Sequence, residues 1–183
     1  MLQSSQKLLT ALVTLLDDKL LTKITTLDLI RTAGISRSTF YRHFQDKFRF
    51  FDWVKSYLLN LFLKDDYSND TPISYYTRFF QHFADYRQAF KSFILEGRWQ
   101  NFEREILVSG ADNYSRLLTK HLDESAPIKT IATYIVSAHI GVAINWLTED
   151  DAHSPAQMAV IMTRLTNSIL ANYDLTLDTL MAK

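Results

Sequence analysis

Apolar residues recur every three or four positions along most of the chain, and this spacing is typical of amphipathic helices. The first such stripe consists of leucines: Leu8, Leu9, Leu12, Leu15, Leu16 and Leu20. A second stripe predicts a long helix and consists of Phe51, Val54, Leu58 and Phe62. No segment alternates apolar and polar residues as a half-buried strand would. The pattern therefore predicts an all-α fold.

Capping signals divide this pattern into about nine helices. Thr25 and Asp28 have the spacing of a capping box, and Gly34 suits the left-handed position that ends a helix. Ser36 and Asp46 can each cap a further helix. Later helices are predicted at 73–84, 87–96, 101–121, 127–147 and 155–173, with loops at 65–72 and 149–151.

The composition is that of an ordinary globular protein, with 183 residues of which 47% are hydrophobic and 22% are charged. Four Gly and three Pro leave little material for a turn-rich β fold, and the absence of Cys excludes disulfides and thiolate metal sites. No apolar run approaches the ~20 residues of a membrane span, and the N-terminus lacks the order of a signal peptide. We therefore expect a cytoplasmic protein that contacts no membrane.

The net charge of zero conceals an uneven distribution. Residues 1–49 contain eight Lys and Arg against four Asp, and the rest of the chain has an acidic surplus of four. A basic N-terminal region beside an acidic remainder indicates that only the N-terminal region meets a polyanion such as DNA.

Residues 25–44 carry the clearest functional pattern. They form two short helices joined by a three-residue turn that contains Gly34, so the helices must pack at a steep angle. Phe40 and Phe44 lie one turn apart on the second helix, which leaves Ser38 and Arg42 on the opposite, exposed side. Such a helix is slim enough to enter the major groove and to hydrogen-bond to base edges.

The segment at 24–47, ITTLDLIRTAGISRSTFYRHFQDK, resembles the DNA-binding signature of TetR-family regulators. The resemblance covers about the first quarter of the chain. It implies a three-helix DNA-binding head with the helix-turn-helix at 1–47, and a larger helical-bundle body for regulation and dimerisation at 48–183. Two residues depart from the family pattern: Ile30 replaces a small residue, and Leu27 replaces a polar base contact.

The same resemblance implies a role for each exposed position of the signature. Phosphate-anchoring positions are held by Thr26, Thr39, Tyr41, His43 and Lys47. Base-reading positions are held by Arg37, Ser38 and Tyr41, and Arg42 fits either role. The expected partner is double-stranded operator DNA, read as two half-sites by a homodimer.

The last two long helices are expected to supply the dimer contact, because both carry strongly apolar stripes and the family resemblance implies the same arrangement. The expected contact residues are Ile140, Ile144, Trp146, Met158, Ile161, Leu165 and Ile169. The alternative interpretation is that these residues close the body's own core.

For the body, the resemblance implies a repressor that a small-molecule effector releases. The pattern identifies no effector-binding residues, because aromatic residues at helical spacing are ordinarily core residues. The alternative is a TetR-like activator or co-activator whose body binds a protein, and a packed body without a cavity would favour it.

An enzyme is disfavoured, because the sequence contains no Gly-rich phosphate loop and no nucleophile elbow. No cofactor is expected. The histidines of the body have no close partner at metal-ligand spacing, and His139 is interpreted as a hydrogen-bonded core residue.

Overall fold

The computed structural model describes residues 2–63, 70–95, 99, 101–149 and 153–182. Over these ranges it contains helices and no strands, which confirms the predicted all-α fold. The helices are α1 (Leu2–Leu16), α2 (Thr26–Ala33), α3 (Arg37–His43), α4 (Lys47–Leu63), α5 (Pro72–Asp85), α6 (Arg87–Phe90), α7 (Phe102–Leu118), α8 (Ile128–Thr148), α9 (Pro155–Leu170) and α10 (Leu177–Met181). Short 3-10 turns lie at Leu21–Lys23 and Ala171–Tyr173, and a π-helical turn lies at Lys91–Leu95.

Some parts of the sequence-based prediction lie outside the described residues. These are most of the predicted loop at 65–72, the end of the predicted helix at 87–96, and the acidic residues at 150–151.

The chain divides into two compact units. The head unit comprises Met1–Asn60 and Tyr86–Gln100, and the body unit comprises Leu61–Asp85 and Asn101–Lys183. The head unit extends beyond the boundary expected at residue 47, because Phe50 and Val54 of α4 are fully buried in its core. The DNA-binding role of residues 1–47 remains a prediction, and this segment is only part of the compact head unit.

The first helix ends earlier than the leucine stripe predicts. α1 stops at Leu16, and a turn through 17–19 leads into the 3-10 turn at Leu21–Lys23. Leu20 is therefore 63% exposed, whereas the neighbouring Leu21 is buried. Helical spacing no longer decides burial once the helix has ended.

In the body unit, α5 packs along α9 and α7 packs along α8. Gly110 of α7 permits a close approach, because a Cβ at this position would lie 2.8 Å from Cγ1 of Val136 on α8. The 21-residue α8 is long and apolar enough to cross a membrane by length and average composition alone. Half of its most apolar window is buried, as in the core helix of a globular protein.

Candidate nucleic-acid interface and body cavity

The start of α2 is fixed by a capping box. Thr25 Oγ1 accepts from the Asp28 backbone N–H at 3.1 Å, and Asp28 Oδ2 accepts from the Thr25 backbone N–H at 2.9 Å. Lys19 Nζ donates to Asp28 Oδ1 at 2.9 Å. The bond from Lys19, followed by those from Thr25, holds the pKa of the Asp28 carboxyl well below its usual range. The Asp28 carboxylate is therefore engaged in bonds that stabilise the fold of the head.

The turn between α2 and α3 needs a glycine and a capping serine. Gly34 has a φ of 62°, in the left-handed region, and its N–H bonds back to the Arg31 carbonyl at 3.2 Å. Ser36 Oγ then accepts from the Thr39 backbone N–H at 3.0 Å and opens α3. These local bonds set the direction in which α3 leaves the turn.

α3 has an aromatic inner side. Phe40 is fully buried, and Phe44 packs beside it with a ring-centroid distance of 5.8 Å. Phe50 of α4 contacts both rings, at 6.4 and 5.2 Å. Because these rings fix the rotation of α3, they determine which residues face outward.

The outer side of α3 carries most of the residues predicted to contact DNA. Arg37, Ser38, Tyr41 and Arg42 are exposed, and Tyr41 is 56% exposed although its ring meets Phe40 edge-on. Thr39 and His43, by contrast, are half-buried.

The charge on this outer side is uncompensated. Arg37 and Arg42 form no ion pair within the described residues, and α3 itself contains no Asp or Glu. Of the nearby acids, Asp28 is held by Lys19, and Asp46 Oδ1 accepts from the Phe48 and Arg49 backbone N–H groups at 2.8 and 2.9 Å. The outer side of α3 can therefore meet an anion without breaking an existing ion pair.

Lys47 has a structural bond that the sequence did not predict. Its Nζ donates to the Ile24 carbonyl at 2.9 Å and lies 5.4 Å from the centre of the Phe48 ring. This bond joins the start of α4 to the segment before α2, and Thr26 lies at the first position of α2. An ammonium group has three donors, so Lys47 retains two for a phosphate.

The residues expected at a subunit contact fall into two groups, and the first group is internal. Ile140, Trp146 and Met158 are buried within the body unit. Trp146 Nε1 donates to the His153 carbonyl at 2.8 Å, and its ring packs against Phe80. These three residues close the core of the protomer, which was the alternative interpretation, and they have almost no surface to give to a second subunit.

The second group retains accessible surface. Ile144 and Ile169 are half-buried, whereas Ile161 and Leu165 are exposed one turn apart on α9. Val160, which the sequence-based set omitted, is exposed beside them.

The body unit contains a cavity of about 480 Å³, which is within the range of small-molecule sites, ~300–1,000 Å³. Residues from the end of α4 and from α5, α7, α8 and α10 line it. Its apolar lining includes Phe62, Phe79, Ile106, Leu117, Ile140 and Leu180. The sequence did not predict α10, whose Leu177 and Leu180 are buried and line this cavity.

A buried polar cluster adjoins the cavity. The Tyr76 hydroxyl lies 3.2 Å from the Tyr114 hydroxyl, 2.9 Å from His139 Nε2 and 2.9 Å from Thr166 Oγ1. His139 Nε2 also lies 3.1 Å from Thr166 Oγ1. These bonds confirm the interpretation of His139 as a hydrogen-bonded core residue.

Burial governs the ionisation of this cluster. Desolvation lowers the pKa of His139 to about 3, and it raises the pKa values of Tyr76 and Tyr114 above their usual range. All three side chains are therefore neutral at physiological pH. No sequence pattern identifies the cluster, because its members are 27 to 90 residues apart.

Comparisons with known proteins agree with this architecture. A family model described as "Transcriptional regulator C-terminal region" (TetR_C_8) matches residues 70–168. No match was found among curated proteins. The solved structure of the dihydroxyacetone kinase operon activator DhaS is similar, with a TM-score of 0.75 and 15% identity over 93% of this chain and 96% of that one. A TetR transcriptional regulator from Streptococcus agalactiae 2603V gives a TM-score of 0.58 and 20% identity, over 89% and 93% of the two chains.

Proposed function

We propose that this chain, which belongs to the TetR family of transcriptional regulators because the family model matches more than half of it, is a DNA-binding repressor. We further propose that a small-molecule effector releases the repressor from DNA. In this proposal a homodimer binds double-stranded operator DNA in the cytoplasm and catalyses no reaction. The observation that carries it is the exposed outer side of α3, where Arg37 and Arg42 have no acidic partner among the described residues.

The proposed contacts follow from exposure and reach. Arg37, Ser38 and Tyr41 would meet base edges in the major groove, because they are exposed on the first two turns of α3. Phosphates would be held by the polar groups around this surface: Thr26, Thr39, Tyr41, His43 and Lys47. Arg42 is exposed and fits either role. Phosphate contacts fix the register on the duplex, whereas base contacts select the sequence.

The decisive test is selection of bound DNA from a random pool, followed by affinity measurements on the selected operator. Arg37→Ala should weaken the free energy of operator binding by about 1–3 kcal/mol and relax the sequence preference at one base pair. Lys47→Ala should weaken binding to all sequences similarly and lower the salt slope by about one. Arg104→Ala removes a charge from an exposed position of the body and serves as the control. Failure of the pool to enrich any sequence would contradict sequence-specific binding.

A homodimer is proposed because one head contacts too few base pairs for useful affinity. Two recognition helices related by a two-fold axis would read half-sites about 34–36 Å apart. The exposed apolar residues of α9, Val160, Ile161 and Leu165, support a contact on that helix. The half-buried Ile144 and Ile169 would add to it.

Sedimentation can test the dimer. The double variant Ile161→Glu, Leu165→Glu should be monomeric at concentrations where the parent chain is dimeric, because it places charges in an apolar contact. Val108→Glu changes an apolar residue on α7 that is at least as exposed as these two, and it should leave the mass unchanged. A parent chain that is monomeric at micromolar concentration would exclude the dimer.

Ligand release is proposed because the body unit contains a cavity of the size of small-molecule sites. A ligand that prefers one conformation of the body lowers operator affinity by its differential binding free energy. A reporter driven by the selected operator should be repressed by the parent chain and derepressed on ligand addition. Activation of the reporter, or response only with a second protein, would favour the TetR-like activator or co-activator instead.

A further inference from the structure

One polar side chain of the cavity lining, that of His139, is both buried and neutral. His139 is only 5% exposed and lines the cavity, and its Nε2 is engaged with Tyr76 and Thr166. Nδ1 has no hydrogen-bond partner among the described residues. Because Nδ1 has no protein partner, a ligand group can exchange a hydrogen bond with it without breaking a bond of the cluster, and that bond adds affinity.

Tyr114 adds a second polar contact at the same end. Its hydroxyl is bonded to the Tyr76 hydroxyl at 3.2 Å, and the residue lines the cavity. A hydroxyl has one proton and two lone pairs, so after its bond to Tyr76 the Tyr114 hydroxyl has capacity for two more bonds. A charged ligand group would be disfavoured here, because this end offers no countercharge and little water.

Where the cavity lining reaches the surface, its polar groups are charged instead of neutral. Arg116 and Lys120 are exposed and line the cavity, and they follow Tyr114 by two and six residues. Neither forms an ion pair within the described part of the chain. No Asp or Glu occurs among the described lining residues, so the mouth attracts anions.

The rest of the lining is largely apolar and includes Phe62, Phe79, Leu117 and Ile140. We propose that the effector is an amphipathic organic acid, with a neutral hydroxyl or carbonyl group at the His139 end, an apolar or aromatic middle, and a carboxylate beside Arg116 and Lys120. This inference rests on the proposed function, because it names the ligand class of the same cavity.

Four compounds that share a phenylpropyl skeleton test the ligand class by calorimetric titration into the full chain. The reference is 3-(4-hydroxyphenyl)propanoate. 3-Phenylpropanoate lacks the hydroxyl, the amide 3-(4-hydroxyphenyl)propanamide lacks the charge, and 3-(4-hydroxyphenyl)propan-1-amine reverses it. We expect the reference to bind most tightly, by about fivefold over 3-phenylpropanoate for one neutral hydrogen bond. The amine should bind most weakly, because it brings a cation to Arg116 and Lys120.

Variants at the mouth test the charge contact. Arg116→Gln and Lys120→Gln should each weaken binding of the reference by up to about fivefold, and leave binding of the amide unchanged. Both side chains are exposed, so neither change should impair folding. Arg104→Gln removes a cation from the same helix outside the cavity lining and is the matched control.

Variants at the inner end test the hydroxyl contact. Tyr114→Phe keeps the ring and should remove most of the advantage that the reference has over 3-phenylpropanoate. Tyr134→Phe makes the same change at an exposed position outside the cavity lining and should preserve that advantage.

Equal or tighter binding of the amine, or no binding of either acid at millimolar concentration, would overturn the proposed ligand class. Operator affinity measured without any ligand separates this failure from failure of the proposed function. Retained operator binding with the wrong ligand preference refutes only the ligand class. Absence of a selected operator refutes the repressor, whatever the cavity binds.

Discussion

The head and the body differ in where their candidate functional polar residues lie. In the head unit, α3 buries Phe40 and Phe44 and turns Arg37 and Arg42 outward without acidic partners among the described residues. In the body unit, the cluster around Tyr76 is turned inward, and its members hydrogen-bond to one another. Charge outside suits a polyanionic duplex, whereas neutral polarity inside suits a small ligand that has to leave water.

The largest loss of stability is expected from a substitution on the buried side of α3 in the head. Phe40→Ala should lower the free energy of unfolding by about 3–5 kcal/mol, because Phe40 is fully buried. Tyr41→Ala changes the next residue, which is exposed, and should weaken DNA binding with little loss of stability. Urea unfolding and operator affinity, measured on both variants, would separate the two sides of α3. Equal losses of stability would show that the two sides are not distinct.

The inner side of the body can be tested by pH. His139 has its pKa lowered to about 3 by burial, whereas an unfolded histidine titrates near its ordinary value of 6.5. Between these values the unfolded chain binds the extra proton, so stability falls as the pH falls. The loss from pH 6.5 to pH 5 should be about 2 kcal/mol from this residue.

Urea unfolding at several pH values would measure this loss. His139→Gln should remove it, and His121→Gln, at an exposed position, should leave it as in the parent chain. A parent chain with equal stability at both pH values would show that His139 is not buried neutral.

Two glycines test how tightly the body helices pack around the cavity. Gly110→Ala would place a methyl group 2.8 Å from Val136, whereas Gly141→Ala on α8 meets no atom within 4 Å. Both substitutions gain helix propensity, but only the first crowds a neighbour. The Gly110 variant should be less stable than the Gly141 variant by about 1 kcal/mol or more. Thermal unfolding at matched protein concentration would measure the difference, and an inverted order would contradict the close approach of α7 and α8.

The smallest loss of stability is expected at the capping box that begins α2 in the head. Thr25→Ala removes the side-chain bond to the Asp28 backbone N–H and should cost about 1 kcal/mol of stability. Thr22→Ala changes an exposed threonine outside the capping box and should cost less. Urea titration would measure the free energy of unfolding of both variants. Equal losses would show that the capping box does not stabilise the head.

Sequence reasoning succeeded where the structure depends on neighbours in the chain. The capping box of Thr25, the left-handed Gly34 and the cap at Ser36 are contacts over three or four residues, and each appears in the structure. The outward position of Ser38 and Arg42 followed from the spacing of Phe40 and Phe44, because a regular helix converts spacing into direction.

Contacts over long separations could not be predicted in this way. Lys47 reaches Ile24 across 23 residues, and Tyr76 reaches Thr166 across 90. Periodicity identifies an apolar stripe but not what covers it, so Trp146 was expected at a subunit contact although it closes the body's own core. The cavity likewise depends on how five helices meet, and no single helix encodes that.

The hydroxyl of Tyr76 has one proton and three hydrogen-bonding neighbours, and this has a consequence for signalling. It can donate once and accept twice, so two of its neighbours must donate to it. If a ligand accepts a hydrogen bond from Nδ1 of His139, Nε2 carries no proton, and either Tyr76 or Thr166 donates to it. If Tyr76 is the donor, Tyr114 and Thr166 must donate to Tyr76. The choice of imidazole tautomer is thereby coupled to the orientation of hydroxyl groups on three helices, α5, α7 and α9.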